Sequence, residues 1–158
     1  MGPDRLTSVT RPVTLVPADF AVPTRFATGA FVLEALGPEH NERDHAAWSS
    51  SIEHIRATPG FVGARWPHAM TLEENLADLE RHRAEFDERS AFAYSVLDPT
   101  TSDVVGCVYV DPAPSGDGAV VRSWVRESQA ELDAPLREAV VSWLEREWPL
   151  ASVSPAQE

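Results

Sequence analysis

The side chains with chemistry to offer are few and scattered. Tyr109 and Asp111 stand two apart in an apolar run, and in a strand that spacing puts both on one face. Asp111 is a candidate base acting through water; placed before Pro112, the same residue also starts a turn well. Glu34, inside the apolar run at 31–36, is a second candidate base of the same kind. Cys107 is the sole cysteine, so neither an internal disulfide nor a multi-cysteine metal site is available. It alternates with Val108 and reads as a small buried side chain. Among the five histidines, His40, His45 and His54 fall on one expected helix with no pair at i,i+4. With His82 they read as solvated helix residues. His68 differs, because it follows Trp66 and Pro67 in a loop unusually rich in aromatics for a connector, and it is kept as a candidate functional residue. Arg65 and Trp66 beside it read as packing or surface residues. No hydrolase elbow, phosphate loop, dinucleotide fingerprint or zinc spacing is present.

One further stretch bears on ligands. Residues 119–126 read as a strand, 127–133 as a turn, and the run to Trp148 as an amphipathic helix with Leu136, Val140, Trp143 and Leu144 on one face. A strand feeding a helix N-terminus is a common phosphate site, because the first N–H groups lack helical partners. Here the turn holds no glycine, and Glu131 and Asp133 put carboxylates in it. Asp133 reads as the N-cap of the helix.

The bulk numbers set the class. At 158 residues, with 43% hydrophobic and 24% charged residues, the chain reads as a single globular domain. A net charge of −12 argues against a nucleic-acid partner, since phosphate binding needs a basic surface. The N-terminus shows neither a signal-type apolar region nor a membrane-length run, so no membrane role and a cytoplasmic location are expected.

The elements that must position these residues follow in order. Residues 1–30, broken by Pro3, Pro12, Pro17 and Pro23, read as an extended arm with a possible short edge strand at 13–16 and apolar anchors at Phe20 and Val22. The single domain is placed at 31–158. It begins with a strand at 31–36 and one helix from Pro38 to about Ala57, with Trp48, Ile52 and Ile55 inward. A capping box at Thr71 and Glu74 starts a second helix to about Glu88 with Leu72, Leu76 and Leu79 inward. Strands at 92–97 and 104–110 pair antiparallel and lead to the strand at 119–126. A last short strand is expected at 150–153.

Strand, helix, helix, three antiparallel strands, helix, strand: this order resembles the GNAT family of N-acetyltransferases. So do the phrases at 73–79, at 105–112, at 123–126 and at Trp143–Leu144, over about residues 31–153. The basic complement, all Arg and no Lys, is similar to that of short acidic members in actinobacteria. The resemblance implies an α/β (α+β) fold with a mixed, mainly antiparallel, twisted sheet flanked by helices. The family's last helix and strands would be lacking. It implies acetyl-CoA as cofactor, its arm lying beyond Trp124, Val125 and Arg126. The pyrophosphate would rest on a loop that here covers Gln129, Glu131, Leu132 and Asp133. It also implies that the end of the third strand, with Tyr109 and Asp111, and the loop carrying His68 face the acceptor. In that loop the family uses small residues; a Cβ obstructs the phosphates and a carboxylate repels them.

Two functions stay open. One is transfer of an acetyl group from acetyl-CoA to a small-molecule amine. The other is a catalytically inactive module of the same fold that no longer binds acetyl-CoA and serves binding or dimerisation. An early-ending sheet exposes backbone and apolar surface, so a homodimer or a cover made by the arm is expected.

Overall fold

The structure is a computed structural model describing residues 14–157. Pro3, Pro12 and Val13, assigned above to the arm and its possible strand, lie outside the described residues. Six strands form one sheet: β1 (Arg25–Ala27), β2 (Val32–Ala35), β3 (Phe92–Leu97), β4 (Val104–Pro112), β5 (Ala119–Val125) and β6 (Val153–Pro155). Their order in space is their order in the chain. All neighbours are antiparallel except β5 and β6, which run parallel. Helices α1 (Asn41–Ser49), α2 (Ile52–Arg56) and α3 (Leu72–Glu88) join β2 to β3, and α4 (Asp133–Glu147) makes the crossover that a parallel pair requires. This is the mixed, mainly antiparallel, helix-flanked sheet that the sequence implies.

Both faces of the sheet are covered. All six residues of β3 are buried, as expected of a strand between two layers. Phe92, Tyr94 and Val96 pack with Val121, Val125 and the α4 residues Leu136, Val140, Trp143 and Leu144 in one cluster. Ala93, Leu97, Cys107, Tyr109 and Trp124 pack with Trp48, Ile55, Phe61 and Leu79 in the other. The helical spacing of α4 therefore identified its inward face correctly. Trp143 is its largest member; it stacks on Phe26 at 4.5 Å and meets Tyr94 and Trp148 edge-on, each at 5.6 Å.

Several expectations need correction. The segment read as an arm to residue 30 contains β1, paired to β2 through Phe26 and Leu33. Val16 is buried, and Phe20 lies 5.4 Å from Trp148, so this segment covers the α4 side of the sheet. Three residues are too few to show a period-two pattern. No strand forms at 14–16; Leu15 instead donates its N–H to the Arg89 carbonyl at 2.7 Å. The helix expected from Pro38 to Ala57 opens with a 3-10 turn and breaks at Ser50–Ser51. Both hydroxyls there serve backbone groups: Ser50 donates to the Ala47 carbonyl and Ser51 accepts from the Glu127 N–H at 2.9 Å. Thr71 and Glu74 do form the capping box of α3. Leu72, expected inward, is 44% exposed, because the buried line of α3 runs through Asn75, Leu79 and Phe86. The last strand lies at Val153–Pro155 rather than 150–153.

Two measurements by urea denaturation check this core. Trp143→Ala costs about 3–5 kcal/mol, the range for large aromatics lost from cores. Leu79→Ala costs about 2–5 kcal/mol, while Leu72→Ala stays below about 1 kcal/mol.

Candidate active site

The site begins at the sheet's parallel edge. β6 pairs with β5 only at Ala119, Val120 and Val121. Gly118, with φ of +78°, makes that approach possible: a Cβ there would collide with the Ser152 backbone. The Ala119 N–H and the Val121 carbonyl bond to the β6 side, at 2.8 and 2.9 Å. By the alternation of a strand, Ser123 and Val125 direct their N–H and C=O groups to the same edge, where no β6 residue is paired with them. An open stretch of backbone donors and acceptors results.

Arg122, the first residue beyond the paired part, borders a cavity of about 160 Å³ between this end of the sheet and helices α1 and α3. Its guanidinium lies over two rings, 4.8 Å from the Tyr109 centroid and 5.1 Å from that of Phe61, and Asp111 holds its Nε at 3.2 Å. Tyr109 and Arg122 are directly opposed across β4 and β5, which is why they meet. Trp124 donates its indole N–H to the Tyr109 hydroxyl oxygen at 3.1 Å. Burial, with lesser contributions from Cys107 and Asp44, pushes the Tyr109 phenol well up, so it keeps its proton at neutral pH and is a donor rather than a base.

The far wall holds two groups that the sequence reading missed. Asp44 on α1 is 4% exposed. Its carboxylate accepts from Asn75 at 3.0 Å, and Asn75 in turn accepts from the Trp48 indole at 3.1 Å. Desolvation outweighs these bonds and pushes the Asp44 carboxyl up to about 6. His82 on α3 faces the Tyr109 ring at 5.5 Å. Burial, then the charges of Arg81 and Arg122, brings its imidazole down to about 4. Asp44 lies four residues before Trp48 and His82 three after Leu79, so helical spacing from buried neighbours was the available signal. The reading of the histidines as solvated is thus corrected for His82, and for His40 as well. His40 is 1% exposed, contacts the Glu34 carboxylate at 3.3 Å and accepts from the Ser95 hydroxyl at 3.1 Å.

The sequence candidates do not converge. Tyr109 lines the cavity, with Asp111 on the same face of β4 but committed to Arg122. Glu34 lines a separate cavity beside Thr24 and Arg83. His68 sits on an exposed part of its loop, its Nδ1 3.1 Å from the Arg65 carbonyl, beside Trp66 but outside the cavity. Trp124 and Val125 are buried at the end of β5, and Arg126 extends the pairing through its N–H to Val105 at 2.9 Å. Gln129, Glu131 and Leu132 form part of a 3-10 turn spanning Glu127–Leu132. Asp133 does not cap α4, because its own backbone is already helical (φ −58°, ψ −55°) and a capping residue needs an extended one. The Asp133 carboxylate instead lies 3.5 Å from Arg137, one turn on.

A test of acetyl-CoA against these residues divides. The open edge at Ser123 and Val125 suits an amide-bearing arm, which can pair with backbone as a strand does. The turn does not suit a pyrophosphate. The Glu127 N–H is spent on Ser51, that of Gln129 on the Arg126 carbonyl and that of Asp133 on the Ala130 carbonyl. Glu127, Glu131 and Asp133 add negative charge around it.

Asp44 and His82 shape stability against pH in opposite directions. Between about pH 4 and 6 the fold keeps a proton on Asp44 that the unfolded chain has released, so this contribution falls as pH rises. Between about pH 4 and 6.5 the unfolded chain carries a proton on His82 that the fold refuses, so this one rises with pH. Each is worth about 3 kcal/mol over its window. Relative to wild type, Asp44→Asn therefore gains about 3 kcal/mol on going from pH 4 to 7, and His82→Gln gains about as much from pH 7 to 4. Urea denaturation at a series of pH values measures both.

No protein-family model matches the sequence, and no curated protein sequence matches it. Solved structures do match the fold. Ribosomal-protein-S5-alanine acetyltransferase from Vibrio fischeri aligns with a TM-score of 0.61 at 11% identity, over 78% of this chain and 68% of that one. The RimL ribosomal L7/L12 alpha-N-protein acetyltransferase, in complex with coenzyme A, gives 0.59 at 15%, over 79% and 68%. The Microcin C7 self immunity acetyltransferase MccE, in complex with acetyl-CoA and AMP, gives 0.58 at 10%, over 79% and 67%. At such identities the likeness is one of architecture, and it agrees with the element order read from the sequence: the chain has the GNAT acetyltransferase fold.

Proposed function

We propose that this chain transfers an acetyl group from acetyl-CoA to a small-molecule amine. The observation that carries the reading is the parting of β5 from β6 after Val121, next to a cavity lined by Tyr109 and Arg122. When bound, acetyl-CoA supplies an activated acyl carbonyl. The chain's own part is positional: backbone groups of Ser123 and Val125 hold the arm, and the rings of Phe61 and Trp66 limit water at the cavity. Tyr109, protonated at neutral pH, is the proton donor on that wall. The neighbours solved with acetyl-CoA or coenzyme A support this choice of cofactor for the fold.

Because the turn after β5 has spent the N–H groups of Glu127, Gln129 and Asp133, acetyl-CoA binds weakly, with a Kd of roughly 0.1–1 mM by calorimetry. The variant Glu131→Gly with Asp133→Gly tightens it about thirtyfold by removing like charges worth about 1 kcal/mol each. No heat at millimolar acetyl-CoA for the wild type would overturn the reading and leave a binding module of this fold. A folded double variant without gain would place the obstacle in the spent N–H groups instead.

A further inference from the structure

We infer that the cavity between α1, α3 and β4 is a site for a small primary alkylammonium ion, with Asp44 as its counter-charge and Trp66, Phe61 and Tyr109 as its apolar wall. The inference rests on the acetyl-transfer reading, for which it names the class of acceptor.

Charge balance around the cavity leads to the cation. Arg122 is paired with Asp111 at 3.2 Å, and Arg81 with Asp78 at 3.7 Å and Glu85 at 3.4 Å. Asp44, the most buried of the lining carboxylates, forms no ion pair among the described residues. Asn75 supplies a hydrogen bond to one of its oxygens but no charge. A buried carboxylate without a counter-charge is costly, and a bound cation removes that cost.

The walls select the kind of cation. Trp66 stands 5.6 Å from Trp48, 5.8 Å from Phe61 and 5.9 Å from Trp124, so the cavity is backed by a continuous run of rings. The Arg122 guanidinium covers the Phe61 and Tyr109 rings, so these two give the ligand apolar wall rather than a seat for its charge, which falls to Asp44. A volume of about 160 Å³ suits a ligand of roughly benzene size, five or six heavy atoms. An ammonium on a four-carbon chain meets that limit. A bulky or anionic acceptor does not.

Other titrating groups face Asp44. His45, its neighbour on α1, donates its Nε2–H to the Met70 carbonyl at 2.7 Å, and Asp78 and His82 face Asp44 from α3. Tyr109 and Cys107 face it from β4 and stay protonated. His82, brought down to about 4, stays neutral above pH 5. Acidification through pH 6 therefore protonates Asp44 and weakens cation binding, with His45 the one neighbour needing a control.

The test titrates n-butylamine, charged throughout pH 5–8, into the protein without acetyl-CoA and follows tryptophan emission and calorimetric heat; n-butanol is the uncharged control. Expected are saturable binding of the amine, at least tenfold weaker binding of the alcohol, and about tenfold weaker amine binding in Asp44→Asn. A fall of about threefold to fourfold from pH 7.5 to 5.5 is expected in the wild type and in His45→Gln. This pH series needs no Asp44 variant, so it decides the matter even where Asp44→Asn does not fold. Equal binding of alcohol and amine, no binding of either, or pH dependence lost in His45→Gln would each overturn the site. Butylamine binding with no response to acetyl-CoA would keep the site and remove the transferase reading; the reverse pattern would keep the transferase and remove the site.

Discussion

Everything of functional interest in this fold depends on how short the parallel ladder between β5 and β6 is. Three residue pairs hold β6 in place, and Gly118 lets its chain come close enough to make them. Were the ladder to continue to Val125, the backbone edge at Ser123 would be satisfied and Arg122 would stand under a neighbouring strand. Because it stops, β5 has one side fully paired with β4 and the other paired only at its start. Unpaired backbone at a sheet edge invites an extended partner. The cavity exists in the same place because a helix layer, rather than a strand, limits the space beyond Tyr109 and Arg122.

The turn after β5 works against that opening. Ser51 reaches it from the break between α1 and α2 and takes the first N–H, while the 3-10 bonds take others. This arrangement ties the helix pair to the end of β5 and favours a rigid frame over a receptive anion site. The two halves of the site therefore pull apart in character: an apolar and partly acidic cavity on one side, an anion-averse turn on the other.

The architecture was legible where a periodic signal was long enough. Leu136, Val140, Trp143 and Leu144 marked the buried face of α4, and alternation together with turn residues marked β3, β4 and β5. β1 was not legible, since Arg25, Phe26 and Ala27 pair with β2 in a stretch too short to carry a pattern. The break at Ser50–Ser51 was hidden because the apolar spacing of Trp48, Ile52 and Ile55 runs straight through it. Asp133 looked like a cap because a cap is judged by residue type, whereas capping needs an extended backbone at that residue and Asp133 is already helical. At the site, Tyr109 and Asp111 were placed on one face by alternation alone. Asp44 and His82 were passed over because polar residues on a helix read as solvated until the packing of a second helix is known.

The coincidence of strand order in space with strand order in the chain has a consequence for assembly. Each strand, as it emerges, finds its partner in the strand made just before it, so the sheet can grow from one edge without waiting for distant segments. Local pairing of this kind keeps the entropy cost of each closure low. The exceptions are the step from β2 to β3, which spans helices α1, α2 and α3, and the last one, where β6 must cross over α4 to lie parallel to β5. Tyr109, Arg122 and Asp44 all precede β6 in the chain, so the strand that bounds the open edge of the site is the last of the six to be made.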